Sequence, residues 1–185
     1  MNIFMLDENA SVAAKMHCDK HVVKMILEYA QLLSTAHRVL DGKEIVGHTK
    51  TGRKQKQWVM PEGHIYADVL YKATHVNHPS AVWARKSYRN YSWLYSLFMA
   101  CCAEYEYRYG KKHLTYTKLA AALEYPPANI PGRPDDNCTP ILQAMPDEYK
   151  QPDGVKAYRS YYKTKKDNFK MVWTGRETPK WFEHG

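Results

Sequence analysis

The sequence predicts a mainly α fold: a single compact helical domain over residues 1–185, with a short N-terminal extended segment, a basic hairpin or loop and a proline-rich wrapping segment. Three observations predict it. A chain of 185 residues that is 44% hydrophobic is the right size for one domain with a core of its own. Two long segments, 11–40 and 80–109, repeat apolar residues at helical spacing. Six prolines between residues 126 and 146 exclude regular structure from that stretch.

The elements before the central helix follow from caps and turn residues. Asn2 to Leu6 is predicted to be extended, and the polar side chains from Asp7 to Ser11 can cap a helix. We expect that first helix to run from Ser11 to Leu40 and to end at Asp41-Gly42. Residues 44–48 and 57–60 flank a lysine- and glycine-containing segment, which predicts a basic hairpin.

The second half of the chain is expected to be helical with one irregular excursion. Pro79 suits the first position of a helix, and Gly110 is suited to ending one. The predicted elements in chain order are a helix over Ile65–Ala73, a turn over His75–Ser80, a central helix over Ser80–Tyr109, a short helix over Thr115–Leu123, the wrapping segment, and a last helix from Asp153 to about Trp173.

Composition limits where the protein acts and what it binds. The four cysteines have no CxxC spacing, and no apolar run approaches the roughly 20 residues that span a bilayer. We therefore expect reduced cysteines, no membrane partner and a cytoplasmic location. The formal charge of +8 is concentrated in residues 43–57 and 154–185, with net charges of +4 and +5. This clustering favours a polyanion, DNA or a nucleotide, as the partner.

The first helix carries the most informative pattern. Its ionisable side chains fall on one line, whereas nearly everything else from Met16 to Ala36 is apolar. A buried line of charges is costly unless the groups pair or face a cleft. The sequence therefore predicts either an internal hydrogen-bond and ion-pair network or a catalytic site. The candidate catalytic residues are His17, Lys20, His21, Lys24 and Glu28.

Each candidate has an expected role. Lys20 or Lys24, if desolvated, could act as a nucleophile or base, and Glu28 could pair with Lys24 or transfer protons. His17 and His21 have the i, i+4 spacing of metal ligands, but the HExxH signature is absent and two lysines would repel a dication. We therefore expect the histidines to orient groups or transfer protons, and we expect no metal. No glycine-rich loop is present, so no ATP or NAD cofactor is expected.

A second group of polar residues surrounds the start of the central helix. Helix N-termini attract anions, so a phosphate near Ser80 could be held there. Lysines interleaved with aromatic residues in the hairpin and in the last helix suit a nucleic-acid surface. The predicted phosphate- or nucleic-acid-binding residues are Lys50, Arg53, Lys54, Lys56, His75, Asn77, His78, Arg85, Arg89, Lys163 and Lys166.

Several strings resemble a family of small, largely uncharacterised proteins of tailed bacteriophages. They are the N-terminal Asn2-Ile3-Phe4-Met5-Leu6-Asp7, His17 through Glu28, Asn77-His78-Pro79-Ser80, Arg108-Tyr109-Gly110-Lys111, Gln143-Ala144-Met145-Pro146 and Pro179-Lys180-Trp181. The resemblance extends over most of the chain. It implies a phage origin and action in an infected bacterial cytoplasm.

In overall plan the chain is also similar to the phage pyrimidine-dimer DNA glycosylases, which are small, basic and helical. Those enzymes use the amine of a threonine exposed after methionine removal, whereas Asn2 here is expected to leave Met1 in place. For the same mechanism, the side-chain amine of Lys20 or Lys24 would have to replace that N-terminal amine as the nucleophile. The leading hypothesis is therefore a phage enzyme that acts on DNA bases, as a glycosylase or lyase or by modifying the base. The alternatives are a protein that sequesters a nucleotide or signalling molecule and a His-ligated metal phosphohydrolase.

Overall fold

A computed structural model of the chain describes residues 2–49 and 51–183. The fold is mainly α, as predicted, with a two-stranded hairpin as its sheet in the described residues. In chain order the elements are α1 (Ala10–Met16), α2 (Asp19–Asp41), β1 (Lys43–His48), β2 (Lys54–Val59), α3 (Pro79–Ala84), α4 (Tyr88–Tyr109), α5 (Leu114–Leu119), α6 (Gly154–Lys163) and α7 (Lys180–Glu183).

The predicted first helix, Ser11–Leu40, is two helices. The Asn9 side chain caps α1, and the chain then leaves helical geometry at His17 and Cys18 before α2 begins. Arg108 of α4 stabilises the break, because its guanidinium donates to the carbonyl oxygens of Lys15 and His17 at 3.1 and 2.9 Å. Those carbonyls are therefore unavailable to a continuous helix.

The predicted central helix is also divided. α3 ends at Ala84, and α4 starts after Ser87, whose hydroxyl accepts the amide of Asn90. The predicted end of α4 is confirmed: Gly110 adopts φ 66°, a conformation that glycine takes without steric cost.

Two other helix predictions are wrong. Residues 65–73 form a series of turns, because Arg38 of α2 binds the carbonyls of Ala67, Leu70 and Tyr71 at 2.7–3.0 Å. The helix predicted from Asp153 to about Trp173 is α6, which ends at Lys163 and is followed by a 3₁₀ turn over Thr164–Asp167. Residues 170–173 have no regular secondary structure, and backbone and indole hydrogen bonds of Val172 and Trp173 join them to the α1–α2 junction.

The core lies between α2 and α4, with α1, α3 and α6 packed around them. The proline-rich segment wraps over it, as predicted, because Trp83 and Asn90 both bind Thr139. The predicted hairpin is confirmed: β1 and β2 pair antiparallel and project from the body. All four cysteines are free thiols. Among the described residues, no helix has the length and apolar character needed to cross a membrane.

Candidate functional site

One face of α2 carries most of the predicted catalytic residues. Lys20, His21, Lys24, Glu28 and Thr35 recur at spacings that place them along a single side of the helix. At 1.5 Å per residue this line is on the order of 20 Å long. The N-terminal segment, the 3₁₀ turn after α6 and the turn before α3 border it, and each contributes side chains. We call this line and its neighbours the α2 face.

His17 lies outside the α2 face, in the core. Because the helix breaks at this residue, its ring turns inward and is fully buried. Nδ1 donates to the carbonyl of Ala13 at 2.7 Å, so Nε2 accepts from the Tyr29 hydroxyl at 2.8 Å. Burial lowers the pKa of His17 to about 4. The predicted role in orienting a substrate or transferring protons therefore finds no geometric support, and we leave His17 out of the site.

His21 is at the edge of the α2 face and is 6% exposed. Phe4 stacks on its ring, and Tyr162 and Phe169 contact it edge-on. Its Nδ1 is buried without a hydrogen-bond partner among the described residues. Burial, with the charges of His17, Lys24 and Lys165, lowers its pKa to about 3, so the ring is neutral at physiological pH.

Lysines and aromatic rings alternate around His21. The Lys20 ammonium lies 4.8 Å from the centre of the Phe169 ring, and the Lys165 ammonium lies 3.8 Å from that of Tyr161. Lysines of α2 and of the 3₁₀ turn after α6 therefore lie on one surface. Lys165 is not among the predicted binding residues. Its charge nevertheless acts on His21, which the sequence pattern of the last helix does not indicate.

Lys24 and Glu28 form an ion pair one helical turn apart. Their nitrogen and oxygen are separated by 3.3 Å, with the lysine side chain 67% exposed and the glutamate side chain 15% exposed. Lys24 is therefore not desolvated, contrary to one expected route to a reactive amine. Glu28, in contrast, is mostly shielded and lies at the centre of the α2 face.

The turn before α3 is fixed against α2. The Thr35 hydroxyl accepts the amide of Thr74 at 3.2 Å and lies 3.4 Å from its carbonyl. Arg85 donates to the carbonyl of Val76 at 2.7 Å. His75 holds φ 48°, which is uncommon for a residue other than glycine and is found at functional sites. The predicted phosphate ligand Arg85 thus braces the turn.

This turn places His78 within electrostatic range of Glu28. Burial lowers the pKa of His78 and His75 lowers it further, while the Glu28 carboxylate opposes both. The Nδ1 of His78 accepts the Ser80 amide at 3.2 Å, which leaves Nε2 to carry the proton of the neutral ring. Three buried side-chain oxygens lack partners among the described residues: those of Asn2, Ser34 and Ser80.

The other predicted binding residues are distributed over the surface. The His78 side chain caps the N-terminus of α3 and accepts the Ser80 amide, and α3 has only six residues. The predicted phosphate position near Ser80 therefore lacks this amide as a donor to an anion. Arg89 lines a separate cavity of about 530 Å³ with Cys138 and Asp153. Asn77 is exposed on the turn and borders another cavity.

The remaining predicted cations belong to the hairpin and the last helix. Arg53, Lys54 and Lys56 are exposed on the hairpin, where Lys56 pairs with Glu44 at 2.8 Å. Lys50 lies outside the described residues. Lys163 is half-buried at the end of α6, and Lys166 is exposed in the 3₁₀ turn. No three His, Cys, Asp or Glu side chains within residues 2–49 and 51–183 are placed to hold a metal ion.

The sequence pattern missed several residues of the α2 face. Phe4 and Phe169 contact His21, and Thr74 binds Thr35 across 39 positions of the chain. Alternation of lysine and aromatic residues is the signal that singles out Phe169, whereas nothing local distinguishes Thr74. No protein-family model, curated protein or solved structure matches this chain.

Proposed function

We propose that the protein binds DNA on the α2 face and acts on its bases at Glu28, as a glycosylase or lyase or by altering the base. The observation that carries the proposal is the position of Glu28, which is shielded and paired with Lys24 at 3.3 Å, and whose charge acts on the His78 ring. A carboxylate beside an amine and an imidazole is a combination that transfers protons.

The surroundings of Glu28 supply the reason for choosing DNA. Lys20, Lys24 and Lys165 can neutralise phosphates, while the rings of Phe169 and Tyr161 can stack on an unpaired base. An enzyme that reacts with a base must take it out of the duplex stack. Phe169 contacts His21, which lies on the same face of α2 two helical turns before Glu28, so its ring is placed to receive such a base on this face.

Two chemical versions follow from the same groups. In the lyase version, Glu28 takes a proton from the Lys24 ammonium, the free amine forms a bond to C1′ of the sugar, and the bond from C1′ to the base breaks. The base leaves with that electron pair and takes the proton from Glu28. In the hydrolytic version, Glu28 deprotonates a water molecule that attacks C1′ in place of the amine.

The experiment is to incubate the purified protein with phage-type and damaged DNA duplexes and to quantify released bases and altered nucleosides by mass spectrometry. We expect Glu28→Gln to lose product at least about a hundredfold while DNA affinity changes less than about threefold. Glu106→Gln, an exposed carboxamide substitution on α4, is the matched control and should retain activity.

Borohydride separates the two chemical versions. In the lyase version the C1′–O4′ bond of the adduct then breaks, O4′ takes a proton from the Lys24 nitrogen, and a Schiff base forms. Borohydride reduces this Schiff base and should trap the wild-type protein on DNA, and Lys24→Gln should abolish the trapped species. If every DNA substrate is returned unaltered although it binds, the protein is a binder and the proposed chemistry is wrong. Unaltered recovery of a tightly bound free nucleotide would favour the sequestering alternative instead.

A further inference from the structure

A second basic site lies between the hairpin and the end of α2. A cavity of about 400 Å³ runs along β2 there. It is lined by Arg38, His48, Thr49, Lys56, Trp58 and Lys72, among other residues. We call it the hairpin hollow. Its lining contains cations, a hydroxyl, glutamine amides and an indole, and no carboxylate.

Arg38 is the fixed cation of the hairpin hollow. Its Nε and both terminal nitrogens donate to four carbonyls, those of Trp58, Ala67, Leu70 and Tyr71, at 2.7–3.4 Å. A guanidinium has five N–H donors, so one remains for a ligand. Its hydrogen-bond acceptors in the protein are all neutral carbonyls. Burial lowers the pKa of Arg38, and the Asp68 carboxylate, which is not among the residues that line the hairpin hollow, opposes this shift. Arg38 is therefore a cation that is held in place by carbonyls, with one N–H still directed to no acceptor among the described residues.

Lys72 adds a second cation without a partner. It is exposed, and it forms no hydrogen bond or ion pair with the described residues. Lys56 also lines the hairpin hollow, and one of its three donors is used by Glu44 at 2.8 Å. Three cations around a concave space with an aromatic wall form an arrangement that suits a phosphate group and the base or sugar attached to it.

From this geometry we infer that the hairpin hollow binds a phosphate group of a nucleic-acid strand, with Arg38, Lys72 and Lys56 as its cations and Trp58 as its wall. The choice of a strand as the source of the phosphate rests on the proposed function. The phosphate chemistry itself does not, because it depends on none of the residues of the α2 face.

Trp58 provides a direct readout of occupancy. The indole N–H resonances of the uniformly ¹⁵N-labelled protein can be followed by NMR, and Trp58→Phe identifies the one that belongs to Trp58. The probes are a 16-nucleotide DNA single strand, the corresponding duplex and ADP, each added separately. We expect the strand or duplex to shift the Trp58 resonance at micromolar concentration and ADP to do so only at much higher concentration.

Charge substitutions test the cations. Lys72→Gln should weaken DNA affinity about threefold or more and reduce the slope of log affinity against log salt by about 1. Lys43→Gln, which makes the same change on β1 outside the hairpin hollow, is the control. Arg38→Gln removes four hydrogen bonds, so its affinity is compared only after circular dichroism shows that it folds, and Lys72→Gln is the main test.

The outcomes are separable from those of the proposed function. A Trp58 shift with ADP at the same concentration as with DNA would support the phosphate site but make a free nucleotide its ligand. If neither probe shifts Trp58, or if Lys72→Gln and Lys43→Gln behave alike, the inference is wrong. Loss of product by Glu28→Gln with an unchanged Trp58 shift would leave both proposals intact, since the two readouts report different surfaces.

Discussion

Thr35 and Thr74 are joined by a side-chain clasp: the Thr35 hydroxyl accepts the Thr74 amide at 3.2 Å and lies 3.4 Å from the Thr74 carbonyl. Glu28 is seven residues before Thr35 and so lies on the same face of α2. The clasp therefore fixes the distance between Glu28 and the turn that carries His78. It links the two groups of residues that the proposed chemistry needs.

Removal of this clasp should impair activity more than stability. Thr35→Val keeps the shape but leaves the Thr74 amide unpaired, at a cost of about 1–3 kcal/mol. We expect product formation to fall at least about tenfold, because small displacements of a catalytic group are costly. Thr35→Ser retains the hydroxyl and should restore most of the activity. Equal activity of the valine and serine variants, measured well below the melting temperature, would contradict a positioning role.

Arg108 should be among the most important residues for stability. Its side chain is fully buried, and it donates to Asp19, Glu104 and the carbonyls of Lys15 and His17. Arg108→Met would leave two carboxylates without this cation. We expect a loss of about 3–5 kcal/mol in the free energy of unfolding, which corresponds to a melting temperature roughly 10 °C lower.

A matched test uses an exposed ion pair. The Lys156 ammonium lies 3.9 Å from the Asp153 carboxylate in solvent. Lys156→Met should change the free energy of unfolding by no more than about 0.5 kcal/mol. Urea titrations of both variants would measure the difference. Similar losses in the two would show that the buried network contributes nothing beyond a surface pair.

The helices were largely predictable because their periodicity is local. The apolar residues of α2 and α4 recur every three or four positions, and Gly110 ends α4 as expected. The breaks were not predictable, since neither His17-Cys18 nor Arg85 is a residue that interrupts helices. A tertiary contact from Arg108 stabilises the first break.

The same reason explains which site residues could be found. Lys24 and Glu28 pair because of their i, i+4 spacing, which the sequence contains. The prediction that His17 lies on the same line assumes a continuous helix. Because the helix breaks at His17, its side chain points into the core instead. The approach of His78 to Glu28 depends on the clasp between Thr35 and Thr74, which no local pattern encodes.

Buried histidines should make the fold acid-sensitive. Burial lowers the folded-state pKa of His17 and of His37 from 6.5 to about 4, and that of His21 to about 3. Below pH 6.5 the unfolded chain therefore binds more protons than the folded one. Stability is fully present above pH 6.5 and falls as the pH drops from 6.5 towards 4. Urea titrations at pH 7.5, 6.0 and 5.0 should show this decrease.

His17→Gln isolates one contribution to that decrease. At pH 7.5 the variant should be less stable than the wild type, because the ring fills its site and binds Ala13 and Tyr29. The difference should shrink towards pH 5, since glutamine does not titrate. The free energy of unfolding of His48→Gln, a substitution on the exposed hairpin, should equal that of the wild type at every pH. A His17→Gln difference that stays constant with pH would contradict a neutral buried ring.

The salt dependence of DNA binding should identify the cations of the α2 face. Lys20 and Lys165 hold their ammonium groups over the rings of Phe169 and Tyr161. Each lysine that neutralises a phosphate releases counterions, so its replacement by glutamine should lower the slope of log affinity against log salt by about 1. Fluorescence anisotropy of a labelled duplex between 50 and 200 mM salt would measure the slope. Lys111→Gln, exposed between α4 and α5, should leave the slope unchanged. If Lys20→Gln and Lys165→Gln give the slope of the Lys111→Gln control, DNA does not lie on this face, and Glu28 would have no nucleic-acid substrate to act on.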